Sequence, residues 1–140
     1  MNAKELMIGD WVFCEGQPSP SNVLIEDICH DGIWFSGEEF EGIADFDRIF
    51  PIPITSEILK KNGFEEVNVM YEDNSAQYSY GNECLGISIW VIPNSANLVG
   101  AWKKSEDCRT CQIITELPIH YLHEFQHILR LCGITKEIVL

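Results

Sequence analysis

Two histidines near the end of the chain form its clearest chemical pattern. Residues 123–127 read His-Glu-Phe-Gln-His, which matches the zinc-protease pattern H-E-x-x-H. On a helix, histidines at positions i and i+4 project from one face and can share a zinc ion. The glutamate between them can deprotonate a zinc-bound water. The pattern therefore raises the possibility of a zinc site with His123 and His127 as ligands.

A zinc protease also needs a third ligand, and the sequence does not supply one in the usual place. The extended form of the motif would require glycine at position 130 and histidine at position 133, where the chain has Arg130 and Gly133. Downstream of His127, Glu137 is the only acidic residue. We therefore predict no catalytic residues here and interpret the histidines as part of a polar, solvent-facing helix surface.

Two cysteines offer a second metal alternative. Cys108 and Cys111 form C-x-x-C, and their spacing to His123 and His127 is one residue short of the usual zinc-finger spacing. A structural zinc held by these four residues is one interpretation, and a pair of reduced loop thiols is the other. No nucleotide-binding glycine-rich loop is present. We therefore predict that the protein has no cofactor, and zinc is the alternative.

The other features of composition favour a cytoplasmic protein. The N-terminal segment MNAKELMIGD does not resemble a signal peptide, and no apolar run reaches the roughly 20 residues that span a bilayer. Six cysteines without a secretory signal are expected to be reduced. Cys14, Cys29 and Cys84 lie within or beside apolar runs, where we expect thiols to act as small core residues.

Charge is unevenly distributed along the chain. The net charge is −13; residues 1–54 contain eleven acids and two bases (net −9), and residues 55–140 contain eleven acids and seven bases (net −4). Such a field repels phosphate backbones and argues against direct nucleic-acid binding. The acidic N-terminal part is either a solvated face, a surface that binds a basic protein partner, or a mimic of nucleic acid.

Periodicity predicts an α+β fold with two lobes. Several short strands joined by turns, including a hairpin at His30-Asp31-Gly32, predict a small SH3-like β-barrel in residues 1–54. Residues 55–140 form the second lobe, unless the two lobes share one domain. A short helix is expected over 56–62 with Thr55 as its N-cap, followed by an antiparallel meander.

A C-terminal amphipathic helix is predicted over residues 118–131, with Pro118 at its first position. At 100° per residue the apolar side chains fall on one face of this helix. The opposite face would carry His120, His123, Glu124 and His127, which is why these side chains are expected to face solvent.

Three stretches of the chain form a recognisable set: KELMIGDWV, RIFPIPITSEILKKNGF and IHYLHEFQHILRLCGI. They resemble a family of short uncharacterised proteins of gut anaerobic bacteria and their prophages and mobile elements. Its members typically show an "LRIGNWV"-like opening, a "PIPLTEEILLKNGF"-like centre and a "YVHQLQNL"-like closing helix. The resemblance implies no activity or cofactor, and it makes Glu124 and His127 look like local variation on an amphipathic helix.

These observations together predict a small accessory protein that is not an enzyme and is associated with mobile elements. It would act on a protein partner through its acidic surface. The zinc-binding protein and the nucleic-acid mimic are the alternatives.

Overall fold

The structure is a computed structural model that describes residues 1–16, 20–37, 41–70, 74–82, 85–104 and 111–140. Within these ranges, the side chains of residues 103–104 and 111–116 are not described. The chain divides into two compact units, which are treated separately below: unit 1 is Met1–Pro53 with Tyr121–His127, and unit 2 is Ile54–His120 with Ile128–Leu140. None of the described helices is long and apolar enough to span a membrane.

Unit 1 is built on a five-stranded antiparallel sheet with the strand order β4-β3-β2-β1-β5. The predicted hairpin is confirmed, because β2 and β3 pair directly on either side of the Asp31-Gly32 turn. These five strands confirm a strand-rich first lobe. Its strands are β1 (Trp11–Cys14), β2 (Ser21–Ile28), β3 (Gly32–Ser36), β4 (Glu41–Asp45) and β5 (Ile49–Phe50).

The core of unit 1 follows from the two-residue period of these strands. Alternate side chains point to one face of a strand, and here the inward set is almost entirely aliphatic or aromatic. Burial raises the pKa of the Cys14 thiol, which therefore acts as an apolar core residue, as predicted. Cys29 is exposed, so its predicted core position is wrong, and Cys84 lies outside the described residues. The core residues are Leu6, Val12, Cys14, Val23, Ile25, Ile33, Phe35, Ala44 and Ile49.

Unit 2 contains a second five-stranded antiparallel sheet, a meander with the order β10-β9-β8-β7-β6. The helix α1 (Ser56–Lys61) precedes it and begins as predicted, because the Thr55 side chain accepts a hydrogen bond from the Ile58 N–H. The mixed α and β composition is thus confirmed. The strands are β6 (Glu65–Met70), β7 (Ser75–Gly81), β8 (Leu85–Val91), β9 (Asn97–Lys104) and β10 (Cys111–Ile119).

The predicted start of the last helix at Pro118 is wrong. Pro118 lies in β10, opposite Leu98 of β9, after a register shift between Ile114 and Leu117. In the described sheet β10 is an edge strand, where proline is tolerated because its missing N–H removes no bond from a central ladder. The helix α2 (Leu122–Leu131) begins four residues later than predicted.

The side-chain amide of Asn62 caps the C-terminal end of α1 in unit 2. The amide nitrogen Nδ2 of Asn62 donates to the carbonyls of Ile58 and Val139 at 2.8 and 2.9 Å. Its Oδ1 accepts from the Val139 N–H at 2.9 Å. The side chain is buried, and Gly63 follows it with φ of +76°, a conformation that glycine adopts without strain. Asn62 therefore pairs with the backbone of Val139 much as a neighbouring strand would.

Candidate functional site

The glutamate of the H-E-x-x-H motif caps the helix to which it belongs. Tyr121 precedes the first residue of α2, and its backbone N–H donates to Oε2 of Glu124 at 3.0 Å. Glutamate at the third helical position commonly reaches back to the N-cap N–H in this way. The next N–H, that of Leu122, donates to the carbonyl of Ile52 at 2.9 Å. Glu124 therefore stabilises the first turn of α2.

The second histidine of the motif contacts a buried carboxylate. Nε2 of His127 lies 2.7 Å from Oδ2 of Asp10, and the Asp10 side chain is fully buried. The same carboxylate oxygen accepts from the Met7 N–H at 2.8 Å. A buried carboxylate is tolerated only when polar partners replace its water shell. The imidazole and the backbone of residues 7–10 supply those partners here.

Gln126, one position before that histidine, binds the same turn. Its Oε1 accepts from the Trp11 N–H at 2.9 Å, and its Nε2 donates to the Gly9 carbonyl at 2.9 Å. We refer to Asp10, Gln126 and His127 as the polar clamp. It fastens the first turns of α2 to the tight turn ahead of β1, where Gly9 adopts φ of +82°.

His123 is buried rather than solvent-facing, which corrects the predicted orientation of the polar helix face. Only 4% of its surface is exposed, and its Nδ1 has no hydrogen-bond partner among the described residues. Its ring stacks on Tyr121 with centroids 6.0 Å apart and meets His127 edge-on at 5.8 Å. Burial lowers the pKa of His123, and the negative charge of Asp10 opposes that shift only in part.

The histidines border a cleft of about 390 Å³ in unit 1. Its other lining residues include Met1, Glu5, Pro51, Tyr121 and Glu124. Within the described residues we find no serine or cysteine beside His127 that could act as its nucleophile. The arrangement is therefore a polar anchor beside a cleft, without a complete catalytic set in the described part of the chain.

The structure does not test the predicted zinc ligands as a set. Cys108 lies outside the described residues, and Cys111 lies in β10, where its side chain is not described. His123 and His127 do lie together, but the described residues contain no group of three suited to hold a metal. The zinc site stays a prediction that rests on the sequence motif, and elemental analysis of protein purified without a His-tag would test it.

A second candidate site is the solvent-exposed face of the sheet in unit 1. Trp34 of β3 lies opposite Asp27 of β2 and Ile43 of β4, so the three side chains share one face. Trp34 is 41% exposed and Ile43 is 66% exposed. A large aromatic and a large aliphatic side chain therefore stand together in solvent on a sheet face.

Carboxylates surround this apolar pair. Glu41 and Asp45 flank Ile43 on β4 at two-residue spacing, and both are exposed. Glu26 lies at the register shift of β2 and accepts a hydrogen bond from the Ser36 hydroxyl at 2.6 Å. We refer to this surface as the acidic-aromatic patch; its members are Glu26, Asp27, Trp34, Glu41, Ile43 and Asp45.

Sequence reasoning missed Asp10 and Gln126. A Gly-Asp pair before a strand is typical of a turn, where an aspartate usually bonds to its own backbone. The contact with His127 spans 117 residues of sequence, which no local pattern reveals. The signal that could have prompted the search was the full set of polar residues on one face of the last helix.

Comparisons with protein-family models, with curated proteins and with solved structures found no significant match.

Proposed function

We propose that this chain is a non-enzymatic accessory protein that binds a basic segment of a protein partner on the acidic-aromatic patch of unit 1. The observation that supports it most directly is the exposed Trp34–Ile43 pair within a ring of four carboxylates. Aromatic anchors contribute most of the energy in many interfaces, and charged groups at the rim guide the approach of a complementary partner.

Charge complementarity decides the chemistry of the partner. Within the described part of residues 1–53, the exposed acids are Glu5, Glu15, Glu26, Asp27, Asp31, Glu41, Asp45 and Asp47, against the exposed bases Lys4 and Arg48. An arginine- or lysine-containing segment would gain from this field both in encounter rate and in bound-state contacts. An acidic segment or a nucleic acid would be repelled.

Because β4 lies at the edge of the described sheet, an extended peptide could pair with its backbone. In the described sheet β4 pairs with β3 alone, so its other edge presents unpaired N–H and C=O groups. A peptide strand added there would place alternate side chains beside Ile43 and its flanking acids. An SH3-like identity of this lobe and a mobile-element association belong to the same proposal.

The test compares two variants with the same change in charge. The patch variant carries Asp27→Asn, Glu41→Gln and Asp45→Asn; the control carries Glu15→Gln, Asp47→Asn and Glu137→Gln, all exposed residues outside the patch. Both are screened against an array of 12-residue peptides that covers basic, neutral and acidic compositions. Selected peptides are then measured by titration calorimetry at low and high salt.

We expect the wild type to select basic peptides that contain an aromatic or aliphatic residue, with affinity falling as salt rises. The patch variant should lose at least tenfold in affinity, and the control less than threefold. Equal losses in both would show that only net charge matters and would contradict the patch. Selection of peptides without basic residues would contradict the proposal itself.

One further outcome separates the nucleic-acid mimic from a peptide-binding module. If the selected partner is a nucleic-acid-binding protein and duplex DNA displaces this chain from it, the acidic face acts as a mimic. In that case Trp34→Ala should change the affinity little, because a phosphate backbone offers no counterpart to an indole. In the proposed function Trp34→Ala should reduce affinity as strongly as the triple acid substitution.

A further inference from the structure

A cleft of about 600 Å³ lies in unit 2, away from the residues discussed so far. Its volume falls within the range of about 300 to 1,000 Å³ that is usual for small-molecule sites. The lining includes Glu65 and Ser79 from paired positions of β6 and β7, Trp102 from β9, and Lys136 from the segment after α2. The cleft thus combines one large aromatic side chain with donors and acceptors of several kinds.

Two glycines set the position of the indole. Gly86 of β8 lies between Gly81 of β7 and Trp102 of β9 in the strand register. A Cβ on Gly86 would lie 2.0 Å from Cζ2 of Trp102, so the ring rests directly on the glycine backbone. The indole Nε1–H donates to the Asn82 carbonyl at 3.3 Å. Trp102 is therefore a fixed, flat platform at the floor of the cleft.

Tyr80, the second aromatic residue of the cleft, already packs against other side chains. The ring of Tyr80 lies 5.1 Å from the ring of Phe64, and the Lys136 ammonium lies 5.5 Å from the Tyr80 centroid. These contacts hold Tyr80 and Lys136 in place. Trp102 is the aromatic surface that remains for a ligand, so the site suits a ring bound on one face rather than between two aromatic side chains.

The polar groups around the platform indicate what kind of ring would fit. Glu65 offers carboxylate acceptors, Lys136 offers ammonium donors, and Ser79 and Thr135 offer hydroxyls that can do both. A ligand with several neighbouring hydroxyl groups suits this mixture, because each hydroxyl can donate a hydrogen bond to one side chain and accept one from another. The net charge of −13 opposes a phosphorylated ligand.

We propose that this cleft binds a neutral saccharide, with the C–H face of one sugar ring stacked on Trp102. The hydroxyls at the rim of that ring would hydrogen-bond to Glu65 and Lys136. Indole is suited to this task because it combines a broad apolar face with a fixed orientation. The proposal is independent of peptide binding on unit 1.

The experiment uses the full chain labelled with ¹⁵N and records amide and indole N–H resonances by NMR. The probes are cellohexaose, maltohexaose, chitohexaose and mannohexaose, with adenosine and adenosine monophosphate as competing chemistries. The Trp102 indole signal is assigned from the spectrum of Trp102→Phe. Trp90→Phe, a substitution on β8 outside the cleft lining, is the matched control.

At least one hexasaccharide should shift the Trp102 indole signal in a saturable way. Trp102→Phe should weaken its binding at least fivefold and Trp90→Phe less than twofold. Glu65→Gln, at an exposed position, should weaken binding severalfold, and it keeps the test valid if Trp102→Phe unfolds the protein. Binding of none of the four saccharides, or binding of adenosine or its monophosphate in their place, would overturn the assignment.

Discussion

Carboxylates occupy two contrasting environments in unit 1. Asp10 is fully buried and bonded to a backbone N–H and to His127, whereas the acids of the acidic-aromatic patch are exposed. A buried carboxylate requires its partners in order for the protein to fold, and an exposed one is hydrated without them. Asp10 therefore stabilises the fold, whereas the exposed acids of the acidic-aromatic patch are available to bind another molecule.

The largest effect on stability is expected at the buried carboxylate, Asp10. Asp10→Ala removes the partner of His127 and of the Met7 N–H, and it should lower the free energy of unfolding by about 3 to 5 kcal/mol. Urea unfolding followed by circular dichroism would measure it. Asp47→Ala, at an exposed site, is the control and should change stability by less than about 0.5 kcal/mol.

A smaller effect is expected at the neutral member of the polar clamp. Gln126→Leu preserves approximate volume but leaves the Trp11 N–H and the Gly9 carbonyl without their side-chain partner, at a cost of about 2 kcal/mol. Gln126→Glu retains the acceptor but replaces the donor with a buried carboxylate oxygen that faces the Gly9 carbonyl, so at neutral pH it should destabilise the protein at least as much as the leucine variant. Equal stability of all three proteins would show that the turn is held by packing alone.

The buried histidine predicts a pH dependence of stability. Burial lowers the folded-state pKa of His123, so below about pH 6.5 the unfolded chain binds this proton more readily than the folded chain does. The contribution of neutral His123 to the free energy of unfolding is present at neutral pH. It is lost as the pH falls from the pKa of the unfolded state through that of the folded state, and the free energy of unfolding then falls by up to about 1.4 kcal/mol per pH unit.

Urea unfolding of wild type and His123→Phe between pH 5 and 7.5 isolates that slope. The difference in stability between the two proteins should change with pH in this window, because phenylalanine does not titrate. A pH-independent difference would contradict the assigned burial effect. The other charged groups that act on His123 are Asp10, Glu124, His127 and Glu5, and the variant retains them all.

The smallest effect on stability is expected in the patch. Asp27→Asn should change the free energy of unfolding by less than about 0.5 kcal/mol, and it can be slightly stabilising because it relieves repulsion between like charges. Thermal unfolding at low salt would detect it. A loss comparable to that of Asp10→Ala would mean that the patch acids are structural, and it would remove the basis of the contrast.

Local patterns predicted the local structure well. The Asp31-Gly32 turn, the Thr55 cap and the alternating strands were readable because each depends on a few neighbouring residues. Pro118 was misread because proline suits both a helix start and an edge strand, and only the pairing with Leu98 decides between them.

The candidate sites depended on distant contacts, and there the sequence was less informative. The motif identified His123 and His127 as neighbours on one face, and the structure places them together. It could not indicate that Asp10 lies against that face, and it therefore assigned solvent to His123, whose side chain is buried. The grouping of Trp34, Ile43 and the surrounding acids likewise required the register of three strands.

The amide of Asn62 has a chemical consequence for the ageing of the protein. Asn62-Gly63 is the only Asn-Gly pair in the chain, and such pairs lose ammonia readily when the following backbone nitrogen can attack the side-chain carbonyl. Here hydrogen bonds to Ile58 and Val139 hold the amide, and the Gly63 N–H is bonded to the Lys60 carbonyl. Deamidation at this position should therefore proceed only when the end of α1 opens, so peptide mapping of stored protein would record how often that happens.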